Sequence, residues 1–130
     1  MTDERSDARE RALNLLYEAH SKGLAVEDVI AAQVVTPDDL TCLLARGADT
    51  SKSQADALID AKSKGWTIDR MPVLDIAIMR MATFELLERS DVPTAVVLNE
   101  AVDLAKRYST DDSGRFINGV LAAIASELRA

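Results

Sequence analysis

Cys42 is the only cysteine, so no disulfide can close within the chain, and no CxxC or Cys/His spacing is present to hold a metal. His20 is the only histidine, which leaves no Ser/His/Asp or Cys/His grouping for nucleophilic catalysis. No glycine-rich loop is built to cradle phosphates. An enzyme is not expected, and neither is a metal or a cofactor. Basic excess is missing too: the formal net charge is −7. Generic nucleic-acid binders carry the opposite sign, so any such affinity must come from a local patch or from a basic partner. Plain solubility accounts for the charge equally well. No apolar run approaches the ~20 residues that span a membrane. The acidic start Met1-Thr2-Asp3-Glu4 has no apolar stretch of a signal peptide. A cytoplasmic protein is expected.

Only three prolines and five glycines interrupt 130 residues, and 48% of the chain is hydrophobic although aromatics make up 4%. Ala, Leu, Glu, Asp, Arg and Lys dominate, which favours helix over strand. The length suits one domain, residues 1–130, around one core. Helical spacing of Ala8, Ala12, Leu13, Leu16 and Ala19 predicts a helix from Glu4 to Ser21, stopped at Gly23. A shorter helix is expected over Val26–Gln33. Thr36-Pro37-Asp38-Asp39 reads as a helix start with Thr36 as cap. That helix runs toward Lys64, with a break possible between Gly47 and Ser51. From Pro72 to Arg89 almost no polar face is left, the mark of a central helix. Its charges Asp75, Arg80 and Glu85 come five residues apart and point in three directions, so each should meet a specific partner or a seam. Further helices are expected over Thr94–Tyr108, with an Asp103–Arg107 pair, and over Asp111–Leu128, capped by Thr110. Trp66, after Gly65, is expected as a buried clamp between two halves. The fold class is an all-α bundle of about six to seven helices, joined by short connections that favour antiparallel neighbours.

Binding features exceed catalytic ones. Asp38-Asp39 and Asp111-Asp112 suit the positive ends of helices and need no acid–base role. Arg5 and Arg9, one turn apart, continue the apolar stripe beyond its N-terminal end. There they can overhang the core and reach phosphates, or simply be solvated, and Asp3, Glu4, Asp7 and Glu10 cancel their charge. Phe116 lies at the edge of its helix's inward stripe, with Asp112 one turn before it and Gly119 and Ala123 one turn after. Such an aromatic can pack inward or offer a platform to an unstacked base. Spacing does not choose. Tyr17 borders the first helix's stripe, and Asn118 is expected to bond a neighbouring helix.

Three stretches together carry a resemblance: Ile78-Met79-Arg80-Met81-Ala82-Thr83-Phe84-Glu85-Leu86, the Asn99-Glu100-Ala101 run after Val92-Pro93, and Ser109-Thr110-Asp111-Asp112-Ser113-Gly114-Arg115-Phe116-Ile117-Asn118-Gly119-Val120-Leu121. The chain resembles the NusB family of transcription antitermination factors, closely over 66–121 and recognisably over 8–23. The resemblance implies two packed three-helix halves. It implies binding of the boxA element of nascent ribosomal RNA together with ribosomal protein NusE, within the RNA polymerase antitermination complex. By the same resemblance Arg5, Arg9, Asp112 and Phe116 match RNA-surface positions, and Tyr17, Arg80 and Glu85 match positions of the partner seam. Ser6 and Asp7 interrupt the basic N-terminal run usual in the family. Weak RNA binding alone, tightened by a basic NusE, is therefore expected. Two other readings stand beside this one. Related domains form the N-terminal part of ribosomal RNA cytosine methyltransferases, whose catalytic part is not in this sequence. A homodimeric interaction module without RNA binding would bury Arg5, Arg9 and Phe116.

Overall fold

The computed structural model describes residues 3–129, and among them seven α-helices and one 3-10 turn account for all regular structure. The helices are α1 (Glu4–Lys22), α2 (Val26–Ala31), α3 (Asp39–Thr50), α4 (Lys52–Lys62), α5 (Val73–Glu88), α6 (Thr94–Tyr108) and α7 (Asp111–Leu128). Helices α1–α3 pack on one another as one half and α5–α7 as the other, with α4 seated against α5 and α7.

Local chemistry sets the boundaries. Asp3 caps α1 by accepting the Arg5 amide, and Gly23 ends it with φ of 64°, a left-handed turn that suits glycine. The expected cap at Thr36 is displaced by two residues. Asp38 takes that place, accepting from the Thr41 amide at 3.2 Å and the Thr41 hydroxyl at 2.6 Å. Those bonds, helped by Arg11, hold its carboxyl at about 2, well below the usual aspartate value. The long middle helix does break. The Ser51 hydroxyl and amide both donate to the Gly47 carbonyl, at 2.7 and 3.0 Å, which closes α3 before α4 begins.

Helix α5 is the hub, touching α1, α3, α4, α6 and α7. Ten of its sixteen residues are buried, which is why its pattern shows no polar face. Asp75, Arg80 and Glu85 each find a partner: Asp75 accepts from Ser113 at 2.8 Å, Arg80 clasps Asp56, and Glu85 meets Arg9 and Arg89. The expected Asp103–Arg107 pair is replaced by one between Arg107 and Glu10, tying α6 to α1. Near the C-terminus Arg129 donates to the carbonyls of Glu85, Leu86, Arg89 and Val92. It thereby adds side-chain donors to the carbonyl end of α5, where intrahelical donors run out. Asn118 is exposed and bonds no neighbouring helix.

Helices α3 and α5 meet at Gly47, where the Phe84 ring fills the space a Cβ would need. Alanine there gains up to about 1 kcal/mol of helix propensity but must displace a packed ring, at about 1–3 kcal/mol. Gly47→Ala is expected to lower Tm by several degrees in thermal denaturation. A raised Tm would mean that α3 and α5 stand further apart.

Candidate nucleic-acid and partner interfaces

The seven residues singled out in the sequence separate into an interior pair and two surfaces. Arg9 is 2% exposed. Its Nε and Nη2 donate to the two carboxylate oxygens of Glu85, each at 2.9 Å. Its Nη1 lies 3.6 Å from Glu100 on α6. Burial works against the charge on Arg9. The hydrogen bonds and charge of Glu85, with Glu100 and Asp3 behind it, outweigh that and raise its pKa above the ordinary arginine value. Arg9 therefore does not overhang the core, and no donor face is left for a phosphate. Glu85, 1% exposed, faces no partner seam either. The sequence held a sign: Arg9 is in line with the apolar stripe of α1 and Glu85 sits on an almost wholly apolar helix, and a buried ion needs a counter-ion. Only Arg5, exposed in the first turn of α1, projects outward as expected.

The first surface surrounds Phe116. Thr110 caps α7 by accepting the Ser113 amide at 3.0 Å, which sets Phe116 in the second turn, half-buried. Trp66 comes over it from the α4–α5 connection. Gly65, at φ 86°, turns the chain, and the 3-10 turn Ile68–Arg70 leads on to α5. Trp66 is not the expected buried clamp: it is 55% exposed, with its ring centroid 6.2 Å from that of Phe116 and the planes tilted by 60°. Polar neighbours in the loop supply too little apolar surface to enclose it. Below the two rings lies a groove of about 450 Å³, bounded by Met71, Pro72 and Asp75. Asp112 stands at its rim, paired with Arg115. Arg70 lines it too, exposed and without an ion partner among the described residues. Neither Trp66 nor Arg70 belongs to a periodic element, so spacing gives no sign that they share this surface. A lone tryptophan in a polar turn was the available sign.

The second surface is a groove of about 430 Å³ where α1, α3 and α5 meet near the start of α2. Leu16, Ala19, Ile76 and Ala77 give it an apolar floor, while His20, Asp49, Lys52 and Arg80 give it a charged rim. Arg80 is held by two bonds of 2.7 and 2.8 Å to Asp56. Tyr17, 46% exposed, sits one turn before His20 on the adjoining face of α1. His20 is itself exposed. Among the described residues no cluster of three or more metal-ligating side chains occurs.

The family model described as the NusB family matches residues 6–126. The chain belongs to the NusB family. It is 43% identical over 127 residues to the transcription antitermination protein NusB of Saccharopolyspora erythraea, covering 93% of this chain and 86% of that one. Its fold matches that of T. maritima NusB with a TM-score of 0.83 at 30% identity, over 98% of this chain and 94% of the other. It also matches a chain of the crystal structure of antitermination factors NusB and NusE in complex with dsRNA. There the TM-score is 0.79 at 26% identity, over 98% and 99% of the two chains.

The interior assignment of Arg9 separates it from Arg5 experimentally. Removing one partner of a buried pair leaves the other charge unmet, at about 3–5 kcal/mol, whereas an exposed arginine contributes within about 0.5 kcal/mol. Urea denaturation should show Arg9→Ala losing several kcal/mol and Arg5→Ala nearly none. Equal, small losses would place Arg9 on the surface after all.

Proposed function

We propose that this chain is a transcription antitermination factor that binds boxA of nascent ribosomal RNA together with ribosomal protein NusE and helps RNA polymerase resist termination. The observation that carries this reading is the exposed Trp66 ring against the half-buried Phe116, with the unpaired Arg70 beside them. It stands in a fold shared with a NusB that has been captured with NusE and dsRNA. Stacking on aromatic rings binds unpaired bases whatever their sequence, and Arg70 can reach the adjoining phosphate. Arg5 extends the phosphate contacts at the start of α1, and Asp112 borders the stacked base. The Leu16–His20–Arg80 groove, with Tyr17 beside it, is the surface we assign to NusE. The 130 residues act as one RNA- and protein-binding domain in the cytoplasm. No helix among the described residues is long and apolar enough to cross a membrane.

Charge sets the affinity. Asp69, Asp111 and Asp112 lie close in sequence to Arg70 and Phe116, and the whole chain carries −7. Stacking then supplies much of the binding alone, and a basic partner adds the counter-ion release that an acidic protein lacks. A labelled boxA-like RNA should bind weakly to the isolated chain. With NusE it should bind more tightly and with a steeper salt dependence. Phe116→Ala should weaken binding roughly 5- to 150-fold, the equivalent of ~1–3 kcal/mol for one stacked base. No binding at either salt concentration, with or without NusE, would overturn the reading.

A further inference from the structure

At the base of the Trp66–Phe116 groove Asp75 is 3% exposed. Its Oδ2 accepts from the Ser113 hydroxyl at 2.8 Å. Ser113 in turn accepts from Thr110 at 3.2 Å and lies 2.9 Å from the Ser109 hydroxyl. This chain of hydroxyls orients the carboxyl group toward α7 and ends on it. The other oxygen, Oδ1, is buried and has no hydrogen-bond partner among the described residues. A buried acceptor left unmet is a standing penalty that few native groups carry. Here the group lines a groove already furnished with a stacking ring and a free guanidinium.

Those three elements match the three parts of a nucleotide: a π-face, a phosphate, and a base edge with N–H donors. We infer that Asp75 reads the edge of the base stacked against Phe116 and selects for guanine. This rests on the reading above that RNA lies on this face. Guanine presents two adjacent donors, N1–H and the N2 amine, to the two acceptors of a carboxylate, and Oδ2 keeps a lone pair beyond its bond to Ser113. Adenine and cytosine offer one amine beside a ring nitrogen acceptor, which would face the second oxygen. Uracil sets its single N–H between two carbonyls that repel a carboxylate. The order of preference is therefore guanine first and uracil last. Met71, unbranched and adaptable, lines the entrance and can give way to the base.

Trp66 is the only tryptophan and stands beside Phe116, so its fluorescence reports occupancy. The experiment titrates the chain with hexauridine and with the same hexamer carrying one guanosine or one adenosine. The single guanosine should tighten binding roughly tenfold or more, as expected where a polar site is matched rather than left unpaired. Asp75→Asn keeps the shape and a group able to accept from Ser113, but replaces an acceptor with an amine. It should remove the guanosine advantage, while Phe116→Ala should weaken all hexamers alike and leave the ratio. Equal affinity of the wild type for all hexamers overturns the role of Asp75 and leaves the RNA face standing. A guanosine advantage that survives in Asp75→Asn also overturns it. Failure of every hexamer to bind, up to millimolar concentration, removes the RNA face and this inference together. Should Asp75→Asn melt below the assay temperature, the wild-type order of guanosine, adenosine and uridine decides alone.

Discussion

Arg9 and Glu85 meet in the interior through two hydrogen bonds of 2.9 Å, and much of the architecture is arranged around them. Glu85 lies in the last turn of α5, the helix that α1, α3, α4, α6 and α7 all touch. Arg9 belongs to the second turn of α1. Their pairing fixes the N-terminal helix on the hub, Arg89 adds a second cation to the same carboxylate at 2.9 Å, and Glu100 brings in α6. A buried pair need not stabilise more than well-packed apolar residues would. What it does here is exclude misplacement: sliding α1 by one turn would strand a charge in the core.

This constraint decides which arginine can reach outside. With Arg9 consumed internally, the N-terminal segment has Arg5 left among its acidic neighbours, and the RNA face we propose lies at the opposite end of α5. There the chain has no basic patch. It has instead two aromatic rings, one free guanidinium and one buried carboxylate. Such a surface binds through stacking and edge contacts, which lose little in salt, and leaves most of the phosphate neutralisation to a partner. An acidic protein can in this way serve an RNA complex without binding RNA indiscriminately.

Periodicity carried the fold well. The stripes of α1, α6 and α7 and the unbroken apolar surface of α5 are visible as spacing, because burial against neighbours imposes a 3.6-residue period. Caps were legible where one side chain does the work, as at Thr110, and were misplaced by two residues where Thr36 and Asp38 competed. The site was less legible. Phe116 is recognisable as an edge residue because its helical angle sets it at the border of the inward stripe of α7. Arg9 was read as an overhang because spacing gives direction but not what lies opposite. Trp66 was read as core because a large apolar ring usually is, and only the polar loop around it keeps it exposed. Arg70 and Asp75 acquire meaning only once a turn and two helices come together.

The central claim is that RNA occupies the Trp66–Phe116 groove and does not run along α1 beyond its first turn. Hydrogen exchange of the chain's backbone amides, with and without boxA-like RNA in the presence of NusE, tests it most directly. The account predicts RNA-dependent protection over residues 66–72 and 110–116, with α1 beyond its first turn unchanged by RNA. Protection along α1 with none at the groove would contradict it.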